Sequence, residues 1–160
     1  MTAPSATKPP IMKGVNCAVL TPLNRDLSPD LGRMAAHCVW LLENGCDGLA
    51  ILGTTGEATS FSVRERMTIM EGLASAGIPM DKTMPGCGAA AFTDSIEITR
   101  CAMDLGIGGV LMLPPFYYKD VTDDGLYNAY SEIIGRVNSS QLRVYLYHFP
   151  QMSATPISHD

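Results

Sequence analysis

Apolar stretches at residues 15–20, 49–52, 83–87, 109–113 and 142–147 recur about every 30 residues, with amphipathic stretches between them. Runs this short and this continuously apolar suit strands covered on both faces, which is the habit of parallel sheets. A parallel neighbour cannot be reached by a tight turn, so the chain must cross over, and a helix is the compact way to do so. The order is therefore strand then helix, four times, closing on a fifth strand. Two folds accept that order. One is a five-stranded doubly wound sheet; the other is the first part of an eight-stranded (β/α)8 barrel, normally about 250 residues long.

The helices have recognisable starts. Ser28-Pro29 reads as an N-cap with proline at the first helical position, ahead of an apolar stripe through Leu31, Met34, Ala35, Cys38, Leu41 and Leu42. Ser62 and Glu65 have capping-box spacing before Met67, Met70 and Leu73. Thr93, followed by Asp94 and Glu97, marks a third start, and Thr122 with Asp123 and Asp124 a fourth. The acids favour the positive ends of these helices.

Composition narrows the class. The 160 residues are 46% hydrophobic and 17% charged, enough apolar material for a core. The net charge of -5 is scattered, without the clustered Lys and Arg that nucleic acid demands, so no nucleic-acid partner is expected. Cys17, Cys38, Cys46, Cys87 and Cys101 stand singly with no C-x-x-C pair, which reads as buried, reduced thiols in a cytoplasmic protein. Residues 1–13, rich in Pro, Thr, Ser and Lys, read as a flexible arm ahead of a domain over 14–160. No apolar run approaches the roughly 20 residues of a membrane helix. His37, His148 and His159 form no cluster with carboxylates, so neither a metal nor a cofactor is expected. A G-x-S-x-G elbow and a Walker lysine are both missing from the sequence.

The polar chemistry gathers where strands end. Gly53-Thr54-Thr55-Gly56-Glu57 follows the second strand, and its glycines allow a curl that aims the Thr54 and Thr55 amides at one small anion. Thr21-Pro22 ends the first strand, and Gly86-Cys87-Gly88-Ala89 after the third reads as tight backbone packing. Pro114-Pro115-Phe116-Tyr117-Tyr118-Lys119 ends the fourth with stiff, exposed aromatics that either line a site or anchor an interface. In the fifth, period-two alternation puts Arg143, Tyr145 and Tyr147 on one face. Tyr147 reads either as a positioned phenol that passes protons or as a half-buried aromatic whose hydroxyl finds a carbonyl. Polar groups converging from several strand ends suit a barrel mouth better than one crevice.

Three motifs in order, at residues 53–57, 114–118 and 146–150, resemble the dihydrodipicolinate synthase / N-acetylneuraminate lyase superfamily of pyruvate-dependent Schiff-base aldolases. The resemblance runs from about Gly14 to the last residue. It implies a TIM barrel of which this chain holds about the first five strands and four helices. It also implies that Gly53, Thr54 and Thr55 hold the carboxylate of pyruvate or of a 2-keto acid adduct. Tyr147, Tyr117 and Thr54 would be the catalytic set, with Tyr147 shuttling protons and Tyr117 reaching in from a neighbouring subunit of a homo-oligomer, dimer or tetramer. One extra residue in the fourth loop leaves Tyr118 as the alternative to Tyr117.

Two departures from the family pattern change the expectation. Where true dihydrodipicolinate synthases carry an Arg that grips the aldehyde's carboxylate, this chain has Met152, which cannot form a bidentate contact. The family's imine-forming lysine lies on a sixth strand, whereas the lysines here are Lys8, Lys13, Lys82 and Lys119. Residues 1–160 are therefore expected to be inactive alone, the parent being a lyase that cleaves a keto acid. The alternative is a non-catalytic fragment that binds small carboxylates or associates with another chain.

Overall fold

The computed structural model describes residues 9–158, so Lys8, His159 and most of the predicted arm lie outside the described residues. Strands β1 (Asn16–Ala18), β2 (Gly48–Ala50), β3 (Val110–Met112) and β4 (Val144–Leu146) alternate with helices α1 (Leu31–Glu43), α2 (Val63–Ser75), α3 (Phe92–Asp104) and α4 (Asp123–Val137). A short helix, α5 (Pro150–Ser153), comes after β4.

The four strands pair in parallel. Cys17 lies opposite Leu49 in β1–β2, and Leu111 opposite Tyr145 in β3–β4. The predicted third strand, residues 83–87, joins the two pairs without forming a regular ladder. It meets β2 at the Leu49–Thr83 bridge and β3 at the Gly86–Leu111 bridge. Met84 and Gly86 donate to Leu49 and Ile51 at 2.8 Å on one side, and Cys87 donates to Leu111 at 2.8 Å on the other. The irregularity has a cause: Pro85 sits mid-segment with no N–H to give, although its carbonyl still accepts from Leu111 at 2.9 Å.

The spatial order is therefore β1, β2, residues 83–87, β3, β4, the order of the chain itself. A doubly wound sheet would place its first strand inside the array and divide its helices between two faces. Here α1 packs on α2, α2 on α3 and α3 on α4, one continuous layer. That excludes the doubly wound alternative. The buried core, including Val19, Leu49, Ile51, Ile69, Leu73, Ile98 and Met112, fills the space between sheet and helices.

Two of the predicted helix starts are corrected. Asp30, not Ser28, caps α1, accepting from the Arg33 amide at 2.9 Å, while Pro29 pairs back with Leu23 in an antiparallel bridge. Helix α3 begins at Phe92 after Ala91, with no side-chain cap; Thr93 already lies inside it. Ser62 and Glu65 form the full capping box, and Thr122 caps α4 through Gly125 at 3.1 Å. The thiols are mixed in exposure: Cys38 and Cys87 are buried, whereas Cys17, Cys46 and Cys101 are partly exposed, and all five are unbridged.

Of the predicted arm, Pro9 and Met12 are held. The Pro9 carbonyl accepts from the Arg143 guanidinium at 2.6 and 3.1 Å, and the Met12 amide donates to the Tyr145 hydroxyl at 2.8 Å.

Candidate active site at the carboxyl ends of the strands

Beyond β2 the chain turns sharply, by means the glycines do not supply. Leu52 (φ 51°) and Glu57 (φ 54°) take the left-handed conformation, at a cost of about 1–2 kcal/mol each for residues with a Cβ. Gly56 is required for space instead, because a methyl there would stand 2.9 Å from the Val19 carbonyl. The Thr21 hydroxyl fastens this turn by donating to the Gly56 carbonyl at 2.8 Å. Thr21, at the end of the first strand, therefore works on the second loop. Within the turn the Glu57 amide donates to the Thr54 carbonyl and the Ala58 amide to that of Gly53. No described residue accepts from the amides of Thr54 or Thr55, which leaves both donors for another group.

Tyr147 arrives from the far end of the array. Its amide continues the β3–β4 ladder by donating to the Met112 carbonyl at 3.0 Å, which fixes its height above the sheet. The same carbonyl takes the Tyr130 hydroxyl at 3.4 Å, and burial pushes that phenol well above its ordinary pKa. The Tyr147 ring sits edge-on to Phe149, centroids 5.8 Å apart. Its hydroxyl lies 3.3 Å from the Thr54 hydroxyl, a contact between residues 93 positions apart. The face shared by Arg143, Tyr145 and Tyr147 is thus divided: the first two hold Pro9 and Met12, and only Tyr147 reaches the loop after β2.

Thr54 and Tyr147 open onto a cavity of about 250 Å³, to which Gly53, Gly86 and Phe116 also contribute. Thr55 is exposed and is not part of its wall. Tyr117 and Tyr118 lie farther out, 72% and 77% exposed and packed edge-to-face on each other. Among the described residues neither is hydrogen-bonded to or ring-stacked on Thr54 or Tyr147.

Two fastenings of the cavity escaped sequence reasoning. The Arg66 side chain, 4% exposed, runs from α2 under the end of residues 83–87 and donates from Nη2 to the carbonyls of Gly86 (2.5 Å) and Gly88 (3.2 Å). Beside it the fully buried Cys87 thiol is pushed up to about 12 by desolvation, so it stays protonated. The Lys119 ammonium donates to the carbonyls of Phe116 and, at 3.1 Å, Ser153, tying the loop after β3 to α5. Alternating polarity hides Arg66, since it falls on the buried side of a helix. Lys119 looks like an ordinary loop cation in sequence. His148 Nδ1 accepts from the Ile157 amide at 3.1 Å. Among the described residues no group of His, Cys, Asp and Glu could hold a metal, and no helix is long and apolar enough to cross a membrane.

Comparison with known proteins places this geometry. The sequence profile of the dihydrodipicolinate synthetase family matches residues 11–160. The chain belongs to that family. An uncharacterised DapA-like lyase of Chloroflexus aurantiacus is 37% identical over 147 residues, covering 91% of this chain and 48% of that protein. The dihydrodipicolinate synthase of Agrobacterium tumefaciens superposes with a TM-score of 0.85 at 31% identity, over 89% of this chain and 50% of that one. The dihydrodipicolinate synthase of Acinetobacter baumannii, complexed with pyruvate, gives 0.81 at 30% identity, over 92% and 49%. The chain thus spans about half the length of the dihydrodipicolinate synthetase family members it matches. Its sheet and helix layer form the corresponding part of a TIM barrel.

Proposed function

We propose that the cavity beside Thr54 and Tyr147 is the pyruvate end of a Schiff-base lyase site. The observation that carries this is the 3.3 Å approach of the two hydroxyls beside a pair of amides that no described residue uses. Two free N–H groups and a hydroxyl suit one carboxylate, with Gly53 leaving the backbone open to it. The Tyr147 phenol, in hydrogen-bond reach of Thr54, can accept or return the protons that imine formation and C–C bond cleavage require. A relative of known structure holds pyruvate, which supports the same ligand here.

The attacking amine is assigned to a sixth strand rather than to any lysine described. Lys13 is exposed ahead of β1, Lys82 lies in a 3-10 turn before residue 83, and the Lys119 ammonium is engaged by two carbonyls. Tyr117, with Tyr118 as the alternative, is assigned to a neighbouring subunit's site in a homo-oligomer; both side chains are exposed. The unbridged thiols suit a reducing cytoplasm.

Pyruvate titrated into the chain, with amide NMR as the readout, is expected to shift Thr54 and Thr55 saturably, and Thr54→Val to weaken binding about tenfold or more. Borohydride added with pyruvate is expected to leave residues 1–160 without a covalent adduct. Shifts scattered over the surface and unchanged by Thr54→Val defeat the assignment.

A further inference from the structure

The turn that carries Thr54 and Thr55 is bracketed by two left-handed residues with a Cβ, Leu52 and Glu57. A turn strained at both ends keeps its form only where its surroundings hold it. Most of its carbonyls are settled locally: Gly53 accepts from Ala58, Thr54 from Glu57 and Glu57 from Ser60. The Gly56 carbonyl is not, and Gly56 is buried. Among the described residues its one donor is the Thr21 hydroxyl, 2.8 Å away at the end of the neighbouring strand. Thr21 is itself held firmly. It is 8% exposed, its branched Cβ restricts its rotamer, and Pro22 confines its backbone to the extended region. The Pro22 carbonyl accepts the amide of Asp30, the cap of α1, at 2.8 Å. Just before Thr21, the Val19 amide donates to Ala50 at 3.0 Å, which fixes the end of β1 against β2.

From this we infer that Thr21 is a positioning residue for the keto-acid site. Its hydroxyl holds the strained turn in the form that leaves the Thr54 and Thr55 amides together and free for a carboxylate. The inference rests on the reading of those amides as the carboxylate's donors, and it adds a side chain that acts on them only through Gly56. Without the hydroxyl, the buried Gly56 carbonyl has no donor, and the turn gains by rearranging until water or another amide reaches it. Rearrangement relieves Leu52 and Glu57 of their left-handed conformation and parts the two free amides. The loss therefore falls on binding at this turn, while the strands beneath it keep their own ladder.

Two substitutions isolate the hydroxyl. Thr21→Val keeps the branched shape and removes the donor, whereas Thr21→Ser keeps the donor and drops a methyl. Pyruvate titration and hydrogen exchange of the 160-residue chain are both followed by amide NMR. Thr21→Val is expected to bind pyruvate about tenfold more weakly. It is also expected to speed exchange of the Glu57 and Ala58 amides, while Met84 and Gly86, bonded to β2, exchange as in the unaltered chain. Thr21→Ser is expected to restore both binding and slow exchange. Unchanged binding in Thr21→Val, or an equal loss in both variants, overturns the positioning role and leaves the keto-acid site standing. Exchange that also quickens at Met84 and Gly86, or a Thr21→Val chain that no longer folds, makes the hydroxyl a general structural contact and overturns it too. If pyruvate shifts neither Thr54 nor Thr55 in the unaltered chain, the keto-acid reading falls and takes this inference with it.

Discussion

Arg66 brings a permanent charge into the interior, where it forms no ion pair among the described residues and its Nε has no partner. What compensates is the pair of carbonyls at Gly86 and Gly88, each a charge-assisted hydrogen bond. Burial correspondingly lowers the guanidinium's pKa. Removing the side chain strands both carbonyls under α2, so Arg66→Ala is expected to cost about 2–4 kcal/mol, read from urea or thermal melts. Because Gly86 is part of the cavity wall, the same variant is expected to weaken pyruvate binding, with Arg66→Lys recovering only part of either loss. Unchanged stability would mean that the two carbonyls find water. Residues of this kind are where sequence is least legible. Thr54, Thr55 and Tyr147 stand out because hydroxyls at strand ends are conspicuous, and the structure does bring Thr54 and Tyr147 together. Phe116 was legible as a strand-end aromatic, whereas Arg66 and Lys119 act on backbone carbonyls 20 and 34 positions away, and no local pattern marks either role.

At the scale of elements, the helices were the readable part. Their apolar stripes and caps depend on neighbours three and four residues away, so local spacing carries the information. Ser62 shows it best: its hydroxyl accepts from the Glu65 amide while the Glu65 carboxylate accepts from the Ser62 amide and hydroxyl. Those bonds hold the Glu65 carboxyl below its usual range, so what it adds is present at neutral pH and lost as pH falls through that lowered pKa. Ser62→Ala is expected to cost about 1 kcal/mol at pH 7, measured by thermal melting. An indistinguishable melt would show that solvent caps α2 equally well. The misread starts have equally local causes. Ser28 is drawn off to bond Asp26 and Asn24, which leaves the cap to Asp30, and Ser95 turns back to the Ala89 amide ahead of α3. The third strand was legible as apolar chain but not as a broken ladder, which depends on how Pro85 faces its neighbours across space.

For the whole molecule, the strand array has two ends. Among the described residues β1 pairs only with β2 and β4 only with β3, and Val15, Leu20 and Leu146 are 61%, 55% and 54% exposed there. Unpaired strand edges beside exposed apolar side chains favour association. The 160-residue chain is expected to sediment as a dimer or larger, with a melting temperature that rises with concentration. A sharp melt independent of concentration, with monomeric sedimentation, would show that the array closes its own core. The strand–helix repeat alone leaves two folds open, the polar strand ends and the family resemblance turn the reading to the TIM barrel, and the spatial order of the strands bears that reading out. The hold of Arg143 and Tyr145 on Pro9 and Met12 also bears on the order of events during synthesis. The two ends of each contact lie 133 or 134 positions apart, so residues 9–12 leave the ribosome long before their partners exist. Closing so long a loop must wait until β4 is in place. The earliest-made piece of the described chain is therefore among the last to dock, and a bulky fusion partner ahead of it would hinder completion of the fold rather than its start.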